Sequence, residues 1–146
     1  MKISNLKNRI VRVGLTLVLI IFSFSYGYAT SNSDARDLKK DTLLIFTGSD
    51  WCLPCIRLEK NILHDSLFLQ FTTYSISFVQ ADFPQKKKLN EGEVSRNEKL
   101  AERFNPNGQF PFLVVIQNGI PTQIPFRDQS TQDLISAIEH IRQGYE

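Results

Sequence analysis

Apolar residues lie along the chain in runs whose internal pattern differs from segment to segment. Thr42 to Thr47 is a continuous β-rich run without polar alternation, which is typical of a strand buried on both faces in a parallel sheet. Tyr74 to Phe83 predicts a second strand. Phe112 to Gln117 and Ile120 to Phe126 flank Asn118-Gly119, a dipeptide that strongly favours a two-residue hairpin turn. These runs predict four strands, the last two paired as a hairpin.

Between the strands, apolar residues recur with the spacing of helices. A first helix is predicted from Cys52 onward, with the apolar positions Ile56, Leu58, Ile62 and Leu63. Asp65 to Thr72 predicts a second short helix, with Asp65 as its N-cap. Ser95 to Phe104 predicts an amphipathic helix with three inward residues, Leu100, Ala101 and Phe104. Pro84 to Glu93 is predicted to be a polar connector.

The last helix is predicted from a cap and an apolar stripe. Ser130 with Asp133 resembles a capping box, and the stripe consists of Leu134, Ile135, Ile138 and Ile141. The resulting order, β-α-β-α-β-β-α, predicts an α/β domain. We place this domain at residues 41–146, after a short polar segment at residues 30–40.

The N-terminus has the layout of a signal peptide. Four basic residues precede the apolar run from Val13 to Phe24, and Gly27 and Ala29 supply the small side chains of a cleavage site. We therefore expect residues 1–29 to be a leader and the remainder to be extracytoplasmic or periplasmic. The alternative is an uncleaved anchor beginning at Ile10, with Tyr26 and Tyr28 at the membrane interface; only in that case do we expect membrane attachment.

Charge gives no indication of nucleic-acid binding. The net charge is +2, but the predicted leader carries four of the 17 basic residues and none of the 15 acidic ones, so the rest of the chain is slightly acidic. Lys86-Lys87-Lys88 is a basic run without interleaved aromatic residues, which is typical of a solvated loop. We expect no nucleic-acid partner.

The chain has two cysteines, Cys52 and Cys55, separated by two residues. A disulfide that closes so short a loop would stabilise the fold little, and the pair is at most half of a zinc site because His64 and His140 lack ligand spacing to it. Thiol-disulfide chemistry is the favoured interpretation. The alternatives are a dithiol module that binds a soft metal ion such as Cu(I), and a redox-inert interaction domain.

The predicted position of the cysteines suits disulfide exchange. At a helix N-terminus, unpaired N–H groups and the macrodipole favour a thiolate at Cys52. Cys55, one turn further on, is expected to be less exposed, and Pro54 is tolerated in a first turn. We predict that Cys52 attacks a substrate disulfide and that Cys55 resolves the mixed disulfide. This chemistry needs neither a metal nor an organic cofactor.

Two motifs together resemble the thioredoxin family: Trp51-Cys52-Leu53-Pro54-Cys55 after a buried strand, and Phe110-Pro111 leading into a strand and an Asn-Gly hairpin. The resemblance implies a three-layer α/β/α sandwich around a four-stranded mixed sheet. It implies that Pro111 follows a cis peptide bond. It also implies that Trp51, Pro54, Phe110 and Pro111 form the surface that faces an extended substrate.

The chain departs from the family in ways that bear on mechanism. Thioredoxins usually carry a buried acid six residues before the first cysteine, and Phe46 occupies that position. Asp50 or Glu59, acting through water, is the candidate replacement. By resemblance, Leu53-Pro54 favours a reductase that acts on envelope protein disulfides and draws electrons from a membrane thiol donor. Leu53 also replaces a common glycine, which is expected to narrow the substrate range.

Overall fold

The computed structural model describes residues 41–144. The predicted leader at residues 1–29 and the segment at residues 30–40 lie outside this range. The described chain forms the strands and helices β1 (Thr42–Thr47), α1 (Leu53–Leu58), a π-helical turn (Glu59–Leu63), α2 (Ser66–Tyr74), β2 (Ser77–Asp82), α3 (Glu91–Phe104), β3 (Phe112–Gln117), β4 (Ile120–Ile124) and α4 (Thr131–Arg142). None of the helices described is long and apolar enough to cross a membrane.

The four strands form one mixed sheet in the order β2-β1-β3-β4. β1 pairs in parallel with β2 and antiparallel with β3, so both of its edges are hydrogen-bonded, and β3 continues into β4 through the predicted hairpin. Asn118 and Gly119 at the turn have positive φ angles of 51° and 81°, which an Asn-Gly pair adopts readily. The uninterrupted apolar run of β1 is explained by this central position.

Alternate residues of β1 enter two separate hydrophobic cores. Leu43 and Ile45 belong to a cluster shared with the π-helical turn, α2 and α4, whereas Leu44 and Phe46 belong to a cluster shared with α3. Helices therefore cover both faces of the sheet, and the expected three-layer α/β/α arrangement is confirmed. The N-caps predicted at Asp65 and Ser130 are also confirmed.

The third helix begins earlier than predicted. α3 starts at Glu91 rather than Ser95, so the predicted connector is shorter by three residues. Asn90 and Glu93 form a reciprocal capping box in which each side chain accepts a hydrogen bond from the other residue's backbone N–H. The first turn of α3 is polar and exposed, so apolar periodicity could not reveal it, whereas the spacing of Asn90 and Glu93 could.

Two polar residues of α3 hold it against the outer strand β2. Asn97 is 2% exposed, and its side-chain amide donates to the carbonyl of Asp82 at 2.8 Å. Arg96 donates to the carbonyl of Gln80 at 3.2 Å and also to the side-chain oxygen of Asn97. These contacts satisfy strand carbonyls that an edge strand would otherwise leave unpaired.

Candidate active site at Cys52 and Cys55

The two cysteines lie where β1 leads into α1. The carbonyl of Gly48 accepts hydrogen bonds from the N–H groups of Trp51 and Cys52, at 3.3 and 2.9 Å, which closes a tight turn after the strand. Cys52 is the N-cap of α1, and Pro54 lies in its first turn, as predicted. The fold thus places Cys52 at the edge of the helix and Cys55 one turn inside it.

The cysteines form a disulfide with a Cα–Cα distance of 5.2 Å. The backbone N–H of Cys55 donates to Cys52 Sγ at 3.3 Å, so the N-cap sulfur takes the position that a serine or aspartate oxygen commonly holds. Cys52 is 6% exposed, whereas Cys55 is completely buried. This asymmetry is the one predicted for an attacking and a resolving sulfur.

Three aromatic rings form a cluster that includes Trp51, the residue before Cys52. The indole N–H of Trp51 donates to the carbonyl of Phe83 at 2.8 Å, and its ring meets Phe110 edge-on with centroids 5.5 Å apart. Phe110 also contacts Phe83, at 5.6 Å. The peptide bond between Phe110 and Pro111 is cis, as the resemblance implied. The aromatic cluster Trp51, Phe83 and Phe110 therefore ties the Pro111 loop to the cysteine turn.

Gly48 makes room for this cluster. A Cβ atom added to Gly48 would overlap the indole ring of Trp51. The φ angle of Gly48 is not in the left-handed region, unlike those of Gly108, Gly119 and Gly144. Glycine is therefore required here for space and not for backbone conformation.

The surface around Cys52 is apolar and accessible. Leu53 is 69% exposed, while Trp51 and Ile56 are each 39% exposed. Exposed large apolar side chains grouped around a reactive group are typical of a surface that a partner covers. We name Trp51, Leu53 and Ile56 the apolar rim.

Phe46 provides no acid, and Asp50 is hydrogen-bonded to the connector. Phe46 is completely buried and packs against Phe112, with ring centroids 6.1 Å apart, so the family's usual acid position is hydrophobic here. The carboxylate of Asp50 accepts backbone N–H bonds from residues 85, 86 and 87 at 2.7–2.9 Å. The bond from Gln85 chiefly lowers the pKa of Asp50, and those from Lys87 and Lys86 add to the effect. Asp50 thus organises the connector.

Glu59, the other candidate acid, belongs to a hydrogen-bonded network between the sheet and the π-helical turn. Gln80 donates through its single amide nitrogen to Glu59 Oε2 at 3.0 Å and to Thr47 Oγ1 at 3.1 Å. Thr47 donates in turn to Asp82, which also accepts two hydrogen bonds from Ser49. The sequence analysis did not identify Gln80 or Asp82, because they lie within a predicted strand and only its register places them beside Glu59.

A polar cavity of about 230 Å³ adjoins this network. Its walls come from the cysteine turn, the π-helical turn, β2, the connector and α3, and include Ser49, Glu59, Gln80, Asp82, Lys87 and Arg96. Among residues 41–144, no group of three or more metal-ligating side chains comes together. The Lys86-Lys87-Lys88 run is exposed, as predicted for a solvated loop.

The class of thioredoxin-fold proteins is defined by three features found here: a disulfide at the N-terminus of a helix, a cis-proline loop before a strand, and a mixed four-stranded sheet. The comparison with protein families agrees: a thioredoxin-like family model matches residues 28–118, more than half of the chain. The chain therefore belongs to the thioredoxin-like family, and the expected thioredoxin fold is confirmed.

Two curated relatives show which thioredoxin-like proteins the chain resembles in sequence. The chain is 40% identical over 77 residues to the disulfide bond reductase DsbH of Chlamydia pneumoniae, which covers 53% of this chain and 46% of that protein. It is 23% identical over 84 residues to the thioredoxin-related protein DsbJ of the same organism, covering 58% of this chain and 24% of that one. The chain thus spans less than half the length of these two relatives.

A solved structure, that of a DsbH oxidoreductase, superimposes with a TM-score of 0.65 at 30% sequence identity. The superposition covers 73% of this chain and 75% of the other. The agreement extends over most of both chains, so it supports the fold independently of the sequence motifs.

Proposed function

We propose that this protein is an exported thiol-disulfide oxidoreductase that reduces disulfides of cell-envelope proteins through Cys52 and Cys55. The observation that carries the proposal is the burial asymmetry of the disulfide. Cys52, which is 6% exposed, accepts an N–H bond at the start of α1, while Cys55 is completely buried. A hydrogen bond to sulfur and a helix N-terminus both favour the thiolate, so Cys52 is the attacking group.

The reaction proceeds by two exchanges between sulfur atoms. The Cys52 thiolate attacks a substrate disulfide, one substrate sulfur leaves as a thiolate, and a mixed disulfide with Cys52 forms. Cys55 then loses its proton and attacks Cys52 Sγ, which forms the Cys52–Cys55 bond and releases the second substrate thiol. Two electrons pass to the substrate, and neither a metal nor an organic cofactor takes part.

The substrate side of the site is assigned to the surface next to Cys52. We assign Trp51, Pro54, Phe110 and Pro111 to this surface, supported by the contact of Trp51 with Phe110, and the apolar rim extends it. An extended substrate segment with an apolar side chain near its cysteine would cover Leu53, which is otherwise 69% exposed. Leu53 therefore favours such substrates over strongly charged ones.

The direction of electron flow and the location rest on the relatives and on sequence. A relative bears the name disulfide bond reductase, which supports reduction over oxidation. The predicted leader supports export to the periplasm or another extracytoplasmic compartment. Reduction there requires resupply of electrons, for which we propose a membrane thiol carrier.

A matched pair of single-cysteine variants tests the proposal. Incubated with a disulfide-bonded protein substrate, Cys55→Ser is expected to accumulate a mixed disulfide at Cys52, and Cys52→Ser is expected to accumulate little. The second measurement is the redox equilibrium of the wild-type pair in glutathione buffers, read by the alkylation mass shift.

The outcomes separate the alternatives. A potential near the value of about −270 mV that thioredoxin has supports a reductase, whereas one near about −120 mV would indicate an oxidant. A cysteine pair that does not exchange with glutathione, together with tight Cu(I) binding by the reduced protein, would favour the metal-binding module. A pair that neither exchanges nor binds Cu(I) would favour the redox-inert domain.

A further inference from the structure

The connector between β2 and α3 carries a basic run that the hydrogen bonds holding the connector do not use. Lys86, Lys87 and Lys88 are all exposed, and we name them the lysine run. Asp50 holds this stretch through the backbone N–H groups of residues 85, 86 and 87, which any residue other than proline could donate. The three lysine side chains therefore remain to be explained.

The lysine run lies next to the cysteine turn. The carboxylate of Asp50, two residues before Cys52, accepts hydrogen bonds from the N–H groups of Lys86 and Lys87 at 2.7 and 2.9 Å. Because two residues of chain span at most about 7 Å, the run begins within about 15 Å of Cys52. Trp51 fixes the start of the same connector, since its indole N–H donates to the carbonyl that precedes it, at 2.8 Å.

The ammonium groups of the lysine run are held by no carboxylate within residues 41–144. The ion pairs of this part of the chain join Arg57 to Asp128, and Arg142 to Asp41 and Glu139. None of them includes a lysine. The three positive charges are therefore available to a partner.

The acidic side chains around the run are already engaged in hydrogen bonds. Asp50 and Asp82 accept from the connector backbone and from the cysteine turn, respectively, and Glu93 belongs to the capping box of α3. The backbone hydrogen bond from Gln85 is the main cause of the lowered pKa of Asp50, and the charge of Lys86 adds to the effect. Asp50 thus offsets part of the positive charge, and the run keeps a net positive charge.

We propose that the lysine run selects substrates that carry acidic residues within a few positions of the reacting cysteine; this inference rests on the proposed function and names its substrate class. Three or four residues of extended chain span about 10–14 Å, which covers the distance from Cys52 to the run. The apolar rim contacts the residue beside the substrate cysteine, whereas the run attracts residues further along. At an ionic strength of about 0.01 M the Debye length is about 30 Å, so the field of the run reaches Cys52.

A polypeptide segment fits the lysine run better than a lipid surface does. Basic clusters that hold proteins to anionic membranes contain about four to eight lysine or arginine residues. The run has three, and the acidic residues Glu91 and Glu93 follow in the first turn of α3. The run also borders the surface at which Cys52 meets its exchange partner, so a substrate is the partner that the run contacts during the reaction.

Three synthetic peptides of matched sequence test the proposal. Each has the same apolar residue beside a central cysteine, and the residues further out on both flanks are all glutamate, all glutamine or all lysine. The cysteine is joined by a disulfide to the uncharged group 2-thiopyridine. When the Cys52 thiolate attacks the peptide sulfur, a bond to Cys52 forms, the bond to the pyridine sulfur breaks, and 2-thiopyridone leaves. Its absorbance gives the second-order rate constant for the reduced protein in a stopped-flow instrument.

We expect the glutamate peptide to react about tenfold faster than the lysine peptide in about 0.01 M salt, because each exposed charge pair contributes a factor of up to about five. In about 0.5 M salt the ratio should fall to about twofold, since salt screens exposed charges. The glutamine peptide should react equally at both salt concentrations within about twofold, because it makes no charge contact with the run.

A matched pair of double variants assigns the preference to the lysine run. Lys86→Gln with Lys88→Gln should lower the ratio in dilute salt to about threefold or less, whereas Lys86→Arg with Lys88→Arg keeps the charges and should keep the ratio near about tenfold. Lys87 stays unchanged because it lines the polar cavity. The rate with the glutamine peptide should be the same for the wild type and both variants, which shows that the reactivity of Cys52 itself is unaltered.

Three results would overturn the inference while leaving the proposed function standing. The first is equal rates of the glutamate and lysine peptides with the wild type in dilute salt, and the second is a ratio that the glutamine double variant leaves unchanged. The third is lysine-dependent sedimentation with phosphatidylserine vesicles in the absence of any peptide preference, which would assign the run to a membrane. If Cys55 of the wild type does not release the bound peptide as a thiol, the proposed function fails and the inference fails with it.

Discussion

Gly48 provides a sharp test of how the active-site surface is built. Gly48→Ala adds one methyl group where the indole ring of Trp51 lies against the backbone. Because the φ angle of Gly48 suits any residue, the substitution acts through this overlap alone. Trp51 must move, and it then loses its hydrogen bond to the Phe83 carbonyl and its edge contact with Phe110.

The expected cost follows from those two contacts. A hydrogen bond contributes about 1 kcal/mol net, and an edge-on aromatic pair contributes about 1 kcal/mol beyond its buried area. Gly48→Ala should therefore lower the free energy of unfolding by about 2 kcal/mol, which is within the range of about 1–3 kcal/mol for an overpacked site. Because Trp51 is the one tryptophan of the chain, its displacement should also shift the fluorescence emission of the folded protein to longer wavelength.

Urea unfolding followed by tryptophan emission measures both effects. The matched control is Gly92→Ala on the exposed first turn of α3, where an added Cβ would meet only the side-chain oxygen of Asn90, at 3.3 Å. The control should leave the emission of Trp51 unchanged and change the stability by less than about 1 kcal/mol. If Gly48→Ala keeps both the wild-type emission and the wild-type stability, the close contact between Gly48 and Trp51 does not exist in solution.

Four further substitutions, at three places in the fold, test other contacts. Asp50→Asn should lower the free energy of unfolding at neutral pH. Because a carboxyl whose pKa is lowered in the folded state contributes stability only while it is ionised, the difference in stability between variant and wild type should close as the pH falls below the ordinary carboxyl pKa of 3.8. Urea unfolding at a series of pH values measures this difference. Asn97→Ala should cost about 1–3 kcal/mol in urea unfolding by leaving the Asp82 carbonyl unpaired. Gly119→Ala, at a φ of 81°, should cost about 1 kcal/mol, whereas Asn118→Gly should be tolerated.

Most of the fold could be predicted from local sequence patterns, because each pattern reflects a conformational preference of residues that are adjacent in the chain. The unbroken apolar run of β1 predicted a central strand, and Asn118-Gly119 predicted the hairpin, since both depend on residues adjacent in the chain. The start of α3 was missed because its first turn buries no apolar side chain. The division of the first helix into α1 and a π-helical turn has no corresponding signal in the apolar spacing.

The candidate site was predictable only in part, for a similar reason. Cys52, Cys55 and Pro54 lie within four residues, and their placement at a helix N-terminus follows from the preceding strand. The contact of Phe83 with Trp51 joins residues 32 positions apart. That contact depends on the parallel register of β1 and β2, which residue spacing does not determine.

The parallel register of β1 and β2 also explains how a polar network forms at the end of the otherwise apolar strand β1. Thr47 is the last residue of β1 and pairs with Asp82, while Gln80 lies two residues earlier on β2, on the same face as Asp82. Thr47 donates to Asp82, and Gln80 donates to Glu59 in the π-helical turn that follows α1, so one network joins the two strands to this turn. Phe46 is directed into the core shared with α3, so β1 carries no acid at this position, whereas Glu59 lies on the π-helical turn. Phe46 and Gln80 therefore lie on opposite faces of the sheet: Phe46 packs in a hydrophobic core, and Gln80 holds the polar network.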